Sequence, residues 1–111
     1  MNSLMQAARG LPLAIVLCGA MSGVAAQTGV EEGKALFTNG AAPACAVCHT
    51  LAHAGATGEI GPVLDELKPN ATRVEKAIRN GIGQMPAYDK LSDAQIRQLA
   101  NYVARVTGAA N

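Results

Sequence analysis

The sequence predicts a small all-α domain with three main helices, and three observations point to it. Two segments open with a capping box, Thr28-Gly29-Val30-Glu31 and Ser92-Asp93-Ala94-Gln95, and Asn70 stands as a cap ahead of apolar residues at helical spacing. No run shows the β-branched alternation of a strand. Between the first two helices lies Cys45-Ala46-Val47-Cys48-His49, two thiols three residues apart followed at once by an imidazole.

The first helix is expected over residues 28–38, with Thr28 taking a backbone N–H and Glu31 reaching back to the cap. Val30, Gly33 and Phe37 recur once per turn on one stripe, and Asn39-Gly40 ends the helix just ahead of the cysteines.

The next element is the five-residue motif, whose spacing is the layout for attaching c-type haem. Each thiol adds across a haem vinyl group to form a thioether. One helical turn of separation brings Cys45 and Cys48 to the same porphyrin edge and aims His49 at the iron as proximal ligand. Three other readings explain less. Structural zinc needs four ligands, and beyond the N-terminal segment the only further Cys or His is His53, which leaves the set one short. A thioredoxin-type pair belongs beside a strand-helix-strand pattern that is not found here. A disulfide between Cys45 and Cys48 closes a very small loop and leaves His49 unexplained. One haem c, bound through Cys45 and Cys48, is the expected cofactor. His53 follows His49 by four residues, so it stays on the proximal side and reads as a surface or loop histidine.

Residues 55–61 are rich in glycine and read as a loop, followed by a short helical turn near residues 62–67. A second main helix over residues 71–80, capped by Asn70 and ended by Gly81, buries Val74, Ala77 and Ile78. Arg73, Lys76 and Arg79 lie near one another on its outside and read as a solvated face. The third main helix starts at Ser92, with Leu91 and Ile96 placed as a hydrophobic staple. Its apolar face is Ile96, Leu99, Ala100, Val103 and Val106, while Arg97, Gln98, Asn101 and Arg105 lie mostly elsewhere. Gly108 closes it as a left-handed cap.

The first 26 residues differ in kind. Arg9 precedes an uncharged run from residue 10 to residue 26 that ends in Val24-Ala25-Ala26, the pattern of a secretory signal cleaved after Ala26. That run is at the lower end of what crosses a bilayer, so a retained membrane anchor is not expected. Cys18 follows Leu17, where a lipobox needs a small residue, and belongs to the removed leader. Residues 27–111 then form a single domain in the periplasm. Their eight basic and eight acidic side chains balance, so nucleic acid and anionic membranes are not expected partners. Phe37, Tyr88 and Tyr102 are the only aromatic residues, a shortage that a buried porphyrin would make good as the body around which Leu, Val, Ile and Ala pack.

Whether haem iron keeps an open axial site or closes it with a second side chain separates catalysis from electron transfer. Met85 is the only methionine after the leader, lies between Gly81-Ile82-Gly83 and Pro86, and follows His49 by 36 residues, enough chain to reach the opposite haem face. An isolated methionine is usually core filler. Here its uniqueness and its flexible-then-rigid setting make it the expected sixth ligand. A soft neutral thioether favours ferrous iron and so a comparatively high potential.

With these residues in place the chain resembles the class I monohaem cytochromes c over nearly all of residues 28–108. Gly33 and Phe37 resemble the Gly-x-x-x-Phe of that family's first helix, and Leu99 with Tyr102 resembles the last helix that crosses it at the glycine. Gly61-Pro62-x-Leu64 resembles the segment whose proline carbonyl accepts the proximal histidine's second N–H, which assigns Pro62 to the haem site. Gln84-Met85-Pro86 resembles the axial methionine loop. The family implies a small class I cytochrome c fold, helices packed around one covalent haem. It departs here in having no tryptophan; for the propionates Tyr88, Arg73 and Lys68 are the candidates. Residues 45–67 and 80–88 further resemble small periplasmic cytochromes that accept electrons from bacterial molybdenum sulfite dehydrogenases.

The expected function is that of a soluble periplasmic one-electron carrier and not an enzyme. A periplasmic dehydrogenase, on the finer resemblance a sulfite dehydrogenase, is the donor, and a downstream respiratory component is the acceptor. Ala46, Val47 and the Gly-rich loop are placed to form a small apolar docking patch at the haem edge. Two rival classes remain: a catalytic or sensing haem protein in which Met85 leaves the iron, and a permanent cytochrome subunit of an enzyme.

Overall fold

The computed structural model describes residues 10–15 and 22–110. Cys18 and much of the expected leader lie outside the described residues. Among the described residues five α-helices carry the fold: α1 (Ser22–Ala35), α2 (Cys45–Cys48), α3 (Leu64–Leu67), α4 (Ala71–Asn80) and α5 (Asp93–Val106). Three of them, α1, α4 and α5, are the main helices expected from the sequence.

The start of α1 differs from expectation. Thr28 lies inside the helix instead of capping it, because the chain is helical from Ser22 onward. Ala25 and Ala26 have the highest helix propensity of any residue type, so with the leader attached the helix extends through the site where the cap would form. Downstream, α1 widens into a π-turn over Leu36–Gly40, where the Thr38 hydroxyl donates to the Lys34 carbonyl at 2.9 Å. Such i−4 bonds bend helices.

The other main helices begin and end where their caps place them. Asn70 Oδ1 accepts from the Arg73 N–H at 2.9 Å at the start of α4. The Ser92 box of α5 is complete, with Gln95 N–H donating to the hydroxyl and the Gln95 side chain accepting from the Ser92 N–H. At its far end Gly108 has φ +68°, Ala109 N–H donates to the Ala104 carbonyl and Gly108 N–H to Arg105, the paired bonds of a Schellman ending.

The loop expected over residues 55–61 holds one feature that was not anticipated. Ala56–Thr57 (β2) pairs antiparallel with Thr50–Leu51 (β1) around a 3₁₀ turn, Ala52–Ala54. Two-residue strands are too short to show a periodicity. They fold the segment after the haem motif back on itself and bury Leu51 completely.

The core is set by the crossing of α1 and α5. A Cβ on Gly33 would stand 2.3 Å from Tyr102 Cβ, so only glycine lets the two backbones approach this closely. Phe37 and Tyr102, both buried, meet with ring centroids 6.2 Å apart at 59°. The Tyr102 hydroxyl lies 2.9 Å from His53 Nδ1, so His53 is the surface histidine expected but carries a bond the sequence did not indicate. Burial, with Glu31 and Asp65 adding to it, pushes the Tyr102 hydroxyl up to about 12. It therefore remains a donor at any physiological pH. Gly33→Ala is expected to lower the stability of the haem-loaded protein: overpacking costs about 1–3 kcal/mol, more than the about 1 kcal/mol an alanine gains in helix propensity. Denaturant melts that show equal or higher midpoints would contradict the tight crossing.

Arg79 does not share a face with Arg73 and Lys76 as the sequence suggested. Its guanidinium turns to Glu75 at 2.9 Å and to Asp93 at 2.6 Å, tying α4 to the start of α5. Hydrogen bonding and charge from Arg79 hold the Asp93 carboxyl below its ordinary value. A depressed carboxylate contributes stability that is present above its unfolded value, near pH 3.9, and lost as pH falls through the lower native one. Asp93→Asn should thus narrow the stability gap between neutral and acid pH by a small amount, the pair being exposed. Acid titrations of the two proteins by circular dichroism give the comparison. Among the described residues no helix is long and apolar enough to cross a membrane.

Candidate haem-binding cleft

A cleft of about 850 Å³ opens between the motif, α3, α4 and the segment around Met85, with Phe37, Leu99 and Val103 among its lining residues. That volume is within the range of sites that bury a large organic ligand. Cys45 and Cys48 occupy the two ends of the single turn α2, and both line the cleft as free thiols. Desolvation is the main reason the Cys45 thiol is pushed up to about 11, with the neighbouring Cys48 adding to it. Before haem is attached this sulfur is therefore a neutral thiol.

His49 follows at once, and its ring is fixed from two sides. The Pro62 carbonyl lies 2.8 Å from Nδ1. A carbonyl only accepts, so Nδ1 carries the proton and Nε2 keeps its lone pair, as a ring prepared to bind iron requires. Gly61 lies flat against the imidazole: a Cβ there would come within 2.6 Å of His49 Cε1. Gly61 N–H also donates to the Cys48 carbonyl at 2.7 Å, which clamps the proline segment to the motif. Gly58 has a similar part that sequence reasoning missed, since a Cβ would stand 2.6 Å from the Val47 carbonyl oxygen. Its membership in a Gly-rich stretch was the only signal.

Met85 is presented by a tight turn. Ile82 and Met85 exchange both backbone hydrogen bonds, at 3.0 and 2.9 Å, around Gly83-Gln84. Gly83 takes a φ of +54°, and the first central position of a type II′ turn is the one that needs glycine. Gly81 at φ +70° lets the chain leave α4 with its Cα close to the Met85 carbonyl, where a Cβ would stand at 2.7 Å. The Tyr88 N–H then donates to the Ile78 carbonyl and returns the chain to α4. Met85 and His49 line the same cleft.

The three propionate candidates separate. The Tyr88 hydroxyl, pushed up to about 12 chiefly by burial, donates to the Pro43 carbonyl at 2.7 Å and has no second proton to give. Lys68 is not among the lining residues, whereas Arg73 is.

Residues 28–103 match the family described as cytochrome C oxidase, cbb3-type, subunit III. The chain belongs to this family of c-type cytochromes. Its structure is similar to that of the c-type cytochrome SorU from Sinorhizobium meliloti, with a TM-score of 0.71 and 49% identity over 75% of this chain and 95% of that one. No curated protein matches the chain at a comparable level of significance. The cytochrome carries haem c attached through Cys45 and Cys48, has the small all-α fold of class I, and transfers electrons instead of catalysing a bond change.

The residues present fit that group. The cleft is lined mostly by apolar side chains, the two thiols stand one turn apart, and the imidazole offers Nε2. Haem iron supplies the one-electron redox chemistry. The protein's contribution is to hold the ring of His49 in one tautomer, to exclude water with residues such as Leu64, Leu99 and Val103, and to leave Val47 and Ile60 exposed.

Proposed function

We propose that the cytochrome is a soluble periplasmic one-electron carrier whose iron is held between His49 and Met85, with Pro62 fixing the histidine. The observation that supports this reading is the Ile82–Met85 turn, which brings the only methionine of residues 27–111 to the cleft that His49 lines. Neutral sulfur opposite imidazole raises the potential and closes the iron to small ligands. Electrons arrive from a periplasmic dehydrogenase and leave to a respiratory acceptor.

Export rests on the leader pattern of residues 1–26, with cleavage after Ala26. Val47, Ile60 and Ile82, at 59, 64 and 70% exposure, offer apolar side chains for brief docking, whereas Ala46 is half-buried and packs against the core. The finer proposal for the donor is a molybdenum sulfite dehydrogenase, supported by the resemblance of residues 45–67 and 80–88 to its acceptor cytochromes. Two cytochromes would be reduced per sulfite. Because the charges of residues 27–111 balance, added salt should slow association only modestly.

The test mixes ferric cytochrome with purified sulfite dehydrogenase and sulfite and follows haem reduction. Reduction much faster than by sulfite alone is expected. No acceleration, alongside rapid reduction by another periplasmic dehydrogenase, rejects this donor and keeps the carrier. A second reading, a permanent subunit of a redox enzyme, is favoured by the family's description as an oxidase subunit. Co-elution with one enzyme through size exclusion at micromolar concentration would support it over the carrier.

A further inference from the structure

We propose that Arg73, flanked by Lys76, holds the haem propionates at the rim of the cleft and so sets how the potential responds to pH. The inference rests on covalent haem c alone and is independent of the sixth ligand and of the partner. Haem attached through its vinyl edge carries two carboxylates on the opposite edge, and these are costly in an apolar cleft unless a cation or donors meet them.

The titratable or charged residues lining the cleft are Cys45, Cys48, His49, Arg73, Lys76 and Tyr88, with no carboxylate among them. The thiols are consumed by attachment, the His49 N–H is given to Pro62 and the Tyr88 hydroxyl to Pro43. Arg73 and Lys76 are therefore the cations left on the cleft. Both are exposed, and neither makes an ion pair among the described residues.

The other cations nearby are excluded by position. Arg79 is tied to Glu75 and Asp93 on another side of α4, and Lys68 does not line the cleft. On the helix Arg73 shares its face with Ala77 and Asn80, both cleft residues, while Lys76 stands one turn on and nearer the outside. A guanidinium can meet a carboxylate with two parallel hydrogen bonds, where an ammonium acts as a point charge. Arg73 is thus the principal holder and Lys76 the auxiliary one. Its positive charge lowers the propionate pKa and offsets carboxylate charge that would otherwise stabilise ferric iron.

The experiment measures the reduction potential of the haem-loaded protein from pH 5 to 9 for wild type, Arg73→Gln, Arg73→Lys, Lys76→Gln and, as a surface control away from the cleft, Lys90→Gln. At pH 8 Arg73→Gln is expected to weaken the preference for ferrous iron about three- to tenfold, tenfold being about 59 mV for one electron. Its potential should rise on acidification with an inflection at higher pH than in wild type, as the unpaired propionate takes up a proton. Arg73→Lys should restore most of the potential, and Lys76→Gln should give a smaller change of the same sign. An inflection that does not move, a change no larger than that of Lys90→Gln, or a larger effect from Lys76→Gln than from Arg73→Gln would overturn the assignment. All of these are read without any partner protein.

Discussion

Cys45→Ala and Cys48→Ala together are expected to yield a chain without stable haem and without a cooperative fold. Among the described residues the largest fully buried side chains are Tyr102, Phe37, Leu51 and Leu99. Around them Leu67, Val74, Met85 and Tyr88 pack at the edge of a cleft of about 850 Å³. An empty cleft of that size leaves these residues in contact with water, at about 25 cal/mol for each Å² of apolar surface left exposed. A domain of this length has a net stability of only a few kcal/mol to lose. Far-ultraviolet circular dichroism of the double variant should show weak helicity and no sharp melt. A helical, haem-free variant that melts cooperatively would show that α1, α4 and α5 are sufficient by themselves.

Met85→Ala has the largest expected effect on redox chemistry. On the proposed His49/Met85 ligation, losing the thioether removes a preference for ferrous iron, so the potential should fall by more than a decade in the redox equilibrium, about 59 mV for one electron. The far-red methionine-to-iron band should vanish, and carbon monoxide and cyanide should bind where the wild type excludes them. Because the Ile82–Met85 turn is held by backbone bonds and glycine conformations, the truncation removes the donor while the loop keeps its shape. If wild type already binds carbon monoxide rapidly and the variant's potential is unchanged, the carrier reading gives way to a catalytic or sensing one.

Helix α4 and helix α5 were legible to the residue, because a capping side chain and a terminal glycine act locally and leave a local trace. The attachment of haem through Cys45 and Cys48 was legible for a different reason: the chemistry dictates the spacing. The resemblance also anticipated the Gly33–Tyr102 crossing, which is a steric demand on one position. The start of α1 was misplaced, since Thr28 has the signature of a cap while the alanines before it prolong a helix. Contacts between distant side chains left no trace at all. Tyr88 to Pro43 and Tyr102 to His53 join residues 45 and 49 positions apart, and nothing in either local pattern names the other. For the same reason the sequence could not separate Arg79 from Arg73 and Lys76.

The contact of Gly33 with Tyr102 joins the first main helix to the last, and that has a bearing on the order of events during biogenesis. A chain emerging N-terminus first exposes Cys45 and Cys48 well before Leu99, Tyr102 and Val103 exist to cover them. Until α5 arrives, α1 has no partner for its glycine notch, and the cleft lacks part of its lining. The thiols thus stand open to haem until the last helix covers them. Closure by the last helix then becomes the step that seals the porphyrin in, so a truncation within α5 should trap the protein at a stage where haem is reachable but not retained in a closed fold.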